Sequence, residues 1–214
     1  MEEIAIQSGV NAGQIALIVS SICGLIGGII STYFVYNQKT KDKMTDLKIE
    51  QIKKENEHEF AKNNRHIAII YGELFRLLSK LDIDRCFILQ PHPDKKYRYL
   101  SVVLEVDKTG ISEVKYLLSN IPMSDVGDFS KQLSTNNWLF FDDINNQVKD
   151  KKILSLMNIA GVNTIALKQL VDTQNEWIGT LVVESITPKT FDDKMIELIV
   201  SIANTIQFIL PPIN

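Results

Sequence analysis

The pattern of hydrophobic and polar positions divides the chain into a short tail and three longer stretches. Residues 1–14 form the tail, and residues 15–36 form an apolar run inside a window without charge from Ile4 to Gln38. Residues 37–64 are highly charged with a thin apolar stripe, which predicts a solvated helical linker and at most a weak coiled coil. Residues 65–212 carry both helical and strand periodicity and predict one folded α+β domain.

The apolar run at 15–36 is long enough to cross a bilayer as one helix. Only Glu2 and Glu3 are charged before it, whereas a cleaved signal peptide has a positive start. Tyr33, Phe34 and Tyr36 follow its core and are typical of the membrane interface. We therefore expect a retained single-pass transmembrane helix, with a buried soluble helix as the alternative.

The flanks and the small residues of this run predict its orientation and its packing. Lysines follow it at positions 39, 41, 43 and 48 and none precedes it. This asymmetry predicts a protein of the cell's inner membrane whose C-terminal domain lies in the cytoplasm. Ser20, Gly24 and Gly28 repeat every four residues on one helix face. Small residues at this spacing allow close helix packing in lipid, so we expect a homo-oligomer.

Helical and strand patterns alternate along the folded stretch. Apolar residues at helical spacing predict a first helix over 67–81 and a last helix over 196–209, with Thr190 and Asp193 as a capping box. The predicted elements between them are strands at 85–90, 97–106 and 137–141, a helix at 151–160, and strands around Ile165 and Leu167 and at 177–185. Residues 111–136 are ambiguous, because Pro122 and Gly127 would interrupt any long helix or strand there. This order predicts an antiparallel sheet with the first and last helices packed together on one face.

Composition excludes several classes of function. The formal net charge of −3 argues against nucleic-acid binding. Two cysteines in different regions, Cys23 and Cys86, exclude a disulfide framework, and neither they nor the scattered histidines have metal-ligand spacing. We therefore expect no metal and no cofactor.

Candidate catalytic groups are few. His58 and His66 are expected to be solvated, and His92 lies in a turn where a surface role is favoured over a ligand contact. Asp142 and Asp143 are adjacent, so on a strand they would point apart, and a helix-entry or turn role is favoured over acid–base chemistry. The sequence contains no phosphate loop, nucleophile elbow or HExxH motif, which predicts a protein that is not an enzyme.

The end of the chain contains Gly161 and Val162, the strand TIALKQLVD, a polar turn, the strand WIGTLVVES and the segment PKTFDDKMIELIVSIANTIQFIL. This succession resembles the C-terminal half of a GAF domain. The resemblance implies a GAF/PAS-like antiparallel sheet with flanking helices, acting as a module that senses a small ligand or binds a regulatory protein. It also implies a cavity roofed beside the NWLFF strand, with Trp138, Phe140 and Phe141 as its wall; ordinary core packing of these three is the alternative.

The sequence departs from the GAF subtypes that have defined ligands. Pro188 replaces the asparagine of the cyclic-nucleotide signature before Lys189, and Cys86 lies in the first strand rather than at a bilin attachment position. A single cysteine in the domain does not match the GAF enzymes that reduce methionine sulfoxide. The resemblance therefore implies a sensing or interaction role without naming a ligand.

The layout of an N-terminal span, a charged stalk and a mixed domain also resembles the holins of T-even phages. That resemblance implies the alternative function: oligomerisation in the inner membrane into lesions that release the endolysin and lyse the host. Its soluble domain would face the periplasm, opposite to the side that the lysines predict.

Overall fold

The structure of the protein, a computed structural model, describes residues 12–93 and 96–213. Helix α1 spans Ala12–Leu81, and the chain divides into two units between Phe60 and Ala61. The predicted tail at 1–14 lies almost entirely outside the described residues.

In the described part of the chain, no helix is both long and apolar enough to cross a membrane. Most residues of the predicted span at 15–36, including Gly24, lie outside those whose side chains the structure describes, and the span stays a prediction. Ser20 and Gly28 are exposed, and a Cβ atom added at Gly28 would meet no atom within 4 Å.

Within the described residues, six strands of the second unit form one sheet in the order β3-β2-β1-β6-β5-β4, and every neighbouring pair is antiparallel. The strands are β1 Arg85–His92, β2 Tyr99–Asp107, β3 Ile121–Pro122, β4 Trp138–Phe141, β5 Thr164–Val171 and β6 Trp177–Ser185. The predicted antiparallel α+β architecture is confirmed. The two longest hairpins meet at the centre of the sheet, where β1 pairs with β6.

One face of the sheet packs against helices at the two ends of the domain. Helix α5, Asp193–Gln207, and the last turns of α1 share an apolar core with this face, formed by residues such as Leu74, Ile88, Leu181 and Ile202. The prediction that the first and last helices pack on one face is confirmed. Cys86 is buried here, and its Sγ donates a hydrogen bond to the Leu74 carbonyl at 3.2 Å.

The opposite face of the sheet packs against the connecting segments. Helices α2 Gly127–Thr135, α3 Ile144–Gln147 and α4 Lys151–Ile159, with a short 3₁₀ helix at Met123–Val126, cover a second apolar core. Strand residues alternate between the two cores because successive side chains point to opposite faces: Val182 belongs to this core, whereas Leu181 and Val183 belong to the other.

Residues 111–136 contain more structure than the sequence predicted. Gly127 does not interrupt this region; it adopts helical angles (φ −60°, ψ −42°), and α2 begins there. Phe129 and Leu133, four residues apart, bury one side of α2 and hold it on the sheet. Gly161 ends the α4 region as predicted, with a positive φ of 69°.

Aspartates cap the later helices. Asp143 accepts hydrogen bonds from the amides of Asn145 and Asn146, so the prediction of a helix-entry role is confirmed. At α5 the predicted capping box is wrong: Asp192 is the N-cap, and its Oδ1 accepts from the Met195 amide at 2.8 Å. Asp192 directly precedes the helix, which begins at Asp193, and it takes the role assigned to Thr190.

Candidate functional site

A small cavity lies between the sheet and the segments that cover its α2–α4 face. Apolar side chains of the sheet, of residues 114–121 and of α4 surround it, among them Phe87, Leu167, Val182 and Met157. Glu184 is the one charged side chain among the described residues that line it. It faces this cavity because it lies two residues after Val182 on β6, on the same side of the sheet.

The cavity has a volume of about 30 Å³. One water molecule needs roughly 10–15 Å³ by the same measure, so the cavity holds about two waters or a ligand of a few non-hydrogen atoms. Its walls are apolar apart from Glu184, which favours hydrocarbon over water inside it.

A buried cluster of charges lies at the edge of the cavity. Arg85 is 2% exposed and stands in register between Glu184 on β6 and Asp107 on β2. Its Nη1 lies 2.6 Å from a Glu184 carboxylate oxygen, and its Nε lies 3.2 Å from Asp107 and 3.5 Å from Glu105. One guanidinium therefore faces three carboxylates whose side chains are 4% exposed in Glu105 and Glu184 and 14% exposed in Asp107.

The same cluster holds the segment that roofs the cavity, residues 112–118. Arg85 Nη2 donates to the Ser112 carbonyl at 2.9 Å. The two oxygens of Glu105 accept from the amides of Val114 at 2.7 Å and Lys115 at 2.8 Å. Because Val114 and its neighbours Leu117 and Leu118 also line the cavity, the roof and the charged cluster are joined by direct hydrogen bonds.

Burial and mutual repulsion change the acidity of this cluster. Burial raises the pKa of Glu184 to about 7, although Arg85 opposes the shift. Burial also raises the pKa of Asp107 to about 7, with repulsion from Glu105 adding to the shift and Arg85 opposing it. The cluster therefore carries bound protons at neutral pH, which lessens its excess of negative charge.

The residues predicted as a pocket wall do not line this cavity. Phe141 packs against the core on the cavity side, and Trp138 packs against the core on the α1–α5 side. Phe140 is 36% exposed, and its ring meets that of Phe191 edge-on at 5.5 Å. Their role as the wall of a ligand pocket stays a prediction.

The cluster escaped sequence analysis because its members come from three strands. Arg85 and Glu184 are separated by 99 positions and meet only when β1 pairs with β6. The available signal was their spacing: each lies two residues from an apolar side chain of the cavity face, Phe87 or Val182. A charge at an inward position of a buried strand requires a partner.

The histidine that the sequence placed in a turn, His92, does not line the cavity. His92 Nε2 lies 2.9 Å from Ser101 Oγ, and the ring of His92 stacks on Tyr99. In the described residues, no group of three or more histidine, cysteine or acidic side chains is arranged to hold a metal ion.

Comparison with known proteins identifies the fold. No protein-family model and no curated protein sequence matches the chain. A GAF domain of PixJ from Thermosynechococcus elongatus, in its blue-light-absorbing form, matches with a TM-score of 0.59 and 16% identity over 70% of this chain and 87% of that chain.

Two further structures give the same result. A domain assigned to a two-component sensor histidine kinase of Sinorhizobium meliloti 1021 has a TM-score of 0.52 and 17% identity, covering 66% of this chain and 87% of that chain. The phycocyanobilin-bound GAF domain of a cyanobacterial phytochrome has a TM-score of 0.51 and 17% identity, covering 69% of this chain and 91% of that chain. The folded part has the fold of a GAF domain; these structures lend no support to the resemblance to holins.

Proposed function

We propose that this protein is a sensing module without enzymatic activity, which detects a small, mainly apolar molecule in the cavity between the sheet and residues 112–118. The observation that supports this proposal is that the cavity and its roof share one charged cluster. Glu184 lines the cavity, and Arg85 links Glu184 to the Ser112 carbonyl. The GAF fold supports this proposal, because the similar structures include a sensor kinase domain and photoreceptors.

A bilin of the kind bound by the phytochrome GAF domain is not supported as the ligand. A cavity of about 30 Å³ corresponds to about two water molecules. Cys86 also lies on the opposite face of the sheet, packed under α1. The ligand proposed here is therefore much smaller than a tetrapyrrole.

In this proposal, the protein senses its ligand through a change in the hydrogen bonds that hold residues 112–118 over the cavity. A ligand that contacts Glu184 competes with Arg85 for the carboxylate, and Arg85 in turn holds the Ser112 carbonyl. Movement of the guanidinium alters the hydrogen bonds of residues 112–118, which carry the exposed side chains of Tyr116 and Leu117. A regulatory protein that reads this surface would receive the signal.

Xenon binding tests whether the cavity accepts an apolar guest. The purified full-length chain, labelled at Ile, Leu and Val methyl groups, is placed under xenon pressure, and the methyl resonances of Val182 and Leu167 are followed. We expect saturable shifts at these methyls and altered amide exchange in residues 112–118. Val182→Ile, which adds a methyl group at the cavity wall without changing charge, should abolish the shift at Leu167 and the altered amide exchange. Absence of any shift in the native chain would overturn the proposal.

We also propose that the protein is anchored in the inner membrane by residues 15–36, with the folded domain in the cytoplasm, and self-associates through Ser20, Gly24 and Gly28. The apolar run, the lysines that follow it and the spacing of small residues support this. A reporter fused to the C-terminus should be active only in the cytoplasm. Gly24→Leu with Gly28→Leu should weaken crosslinking in lipid, whereas Ile22→Leu with Ile26→Leu should not; equal crosslinking in both pairs would contradict self-association through this face.

A further inference from the structure

We propose that the ligand of the cavity is a short-chain amine, whose ammonium group binds the carboxylate oxygen of Glu184 that Arg85 leaves free. This inference rests on the proposed sensing function and names the chemical class of its ligand.

The first observation is the incomplete coordination of Glu184. The residue is 3% exposed and lines the cavity. Among the described residues, the hydrogen bond to this carboxylate comes from Arg85, whose Nη1 donates to Oε2 at 2.6 Å. A ligand in the cavity that donates to the second oxygen, Oε1, would add a charge-assisted hydrogen bond in surroundings that contain little water.

The second observation is the charge balance around Glu184. Glu105 is satisfied by the amides of Val114 and Lys115, but Asp107 Oδ1 has no hydrogen-bond partner in the described structure despite its proximity to Arg85. The nearby lysines are engaged elsewhere, since Lys108 pairs with Asp82 and Lys115 Nζ donates to the Val103 carbonyl. Three carboxylates face one guanidinium, and at neutral pH bound protons offset part of the difference; an ammonium group would replace such a proton as the balancing positive charge.

The walls of the cavity define the rest of the ligand. The other side chains that line the cavity are apolar, among them Phe87, Ile165 and Met157, so the body of the ligand is hydrocarbon. The volume of about 30 Å³ limits it to a few non-hydrogen atoms. A carboxylic acid would add a negative charge to the cluster, and an alcohol would supply a donor without balancing charge.

Ethylammonium chloride and ethanol form a matched pair of probes, because they are similar in size and differ in charge. Each is titrated at constant ionic strength into the full-length chain with labelled methyl groups, and the resonances of Val182 and Leu167 are followed. We expect saturable shifts with both probes and at least tenfold tighter binding of ethylammonium. Glu184→Gln should reduce ethylammonium affinity to that of ethanol while leaving ethanol binding unchanged. Glu176→Gln removes an exposed carboxylate in the turn of the same β5–β6 hairpin and should change neither affinity.

The outcomes separate this inference from the function on which it rests. If xenon shifts the cavity methyls but ethylammonium binds no more tightly than ethanol, or binds equally to Glu184→Gln, the ligand is not an amine and the sensing proposal stands. If xenon, ethanol and ethylammonium all leave these methyls unchanged, both proposals are overturned. Should Glu184→Gln fail to fold, Val182→Ile keeps every charge and adds a methyl group at the cavity wall; ethylammonium binding retained in that variant, followed at Leu167, would contradict the assignment.

Discussion

Arg85 and Glu184 lie opposite each other on β1 and β6, and their side chains form a buried ion pair with an Nη1–Oε2 distance of 2.6 Å. Both side chains are almost completely shielded from water, at 2% and 4% exposure. A buried pair of this kind adds little net free energy when intact, but it is costly to break because the remaining charge has no water around it. Arg85 is the more critical member, because Glu105 and Asp107 also face it.

Replacing Arg85 by methionine should therefore destabilise the domain strongly. The variant leaves two buried carboxylates and the partly buried Asp107 without a cation, and we expect the free energy of unfolding to fall by about 3–5 kcal/mol at pH 7. Urea denaturation followed by circular dichroism measures this change. Arg98→Met, at an exposed position, serves as the control and should shift stability by less than about 0.5 kcal/mol. Similar losses in the two variants would show that the cluster does not support the fold.

The raised pKa values of Glu184 and Asp107 predict a specific pH dependence. Both groups have a pKa of about 7 in the folded chain, against roughly 4 when unfolded, so the folded state binds more protons in that interval. The free energy of unfolding should fall as pH rises from about 4 to about 7, by up to about 1.4 kcal/mol per pH unit for each group, and then level off. Asp82 and Asp125 have lowered pKa values and act in the opposite sense below this window.

Glu184→Gln provides the check on that dependence. The amide cannot ionise, so urea midpoints measured at pH 5, 6, 7 and 8 should vary less in the variant than in the native chain. A curve as steep as that of the native chain would mean that Glu184 keeps an ordinary pKa.

The N-cap of α5 gives a test at a site remote from the cavity. Asp192→Ala removes the acceptor for the Met195 amide and should cost about 1 kcal/mol of stability. Thr190→Ala changes the residue that sequence patterns favour as the cap, and it should cost only a few tenths of this because α5 begins at Asp193. Thermal unfolding of the two variants side by side distinguishes the assignments, and a larger loss at Thr190 would reverse them.

Gly179 on β6 marks a close approach between the sheet and the end of the chain. A Cβ atom there would lie 3.2 Å from Leu210 Cδ2 and 3.3 Å from the Leu89 carbonyl oxygen. Gly179→Ala should destabilise by about 1–3 kcal/mol through overpacking. Gly72→Ala is the matched control: it lies exposed in α1 with no atom within 4 Å of the added methyl, and it should stabilise by up to about 1 kcal/mol.

A double-mutant cycle with Leu210→Ala identifies which contact dominates at Gly179. If the leucine side chain is the obstacle, the loss caused by Gly179→Ala should be smaller in the Leu210→Ala background. An unchanged loss would assign the strain to the Leu89 carbonyl.

The elements predicted most accurately from sequence have local signals. The β5–β6 hairpin is bounded by the polar turn at 172–176, where Asp172 Oδ1 accepts from the amides of Gln174 and Glu176 at 2.8 Å. Helix α5 has an uninterrupted apolar face whose buried residues include Ile199 and Ile206. Both patterns are set by neighbours within a few positions, so periodicity is sufficient to locate them.

The elements missed by sequence analysis depend on distant contacts. Gly127 has no intrinsic preference for a helix, and α2 exists because Phe129 and Leu133 are buried against the sheet. The charged cluster likewise depends on the pairing of β1 with β2 and β6, which no local pattern specifies. The roof contacts at Ser112 and Val114 are backbone interactions and leave no trace in side-chain type.

The buried position of Cys86 makes its thiol a probe of local opening in the domain. Burial raises the pKa of its thiol, and the bond to the Leu74 carbonyl places it under the last turns of α1. In a Cys23→Ser background, a thiol reagent can modify it only after α1 separates from β1. The labelling rate therefore reports how often that helix lifts from the sheet, and comparing rates with and without a bound guest measures whether events at the cavity face are felt on the other side of the strands.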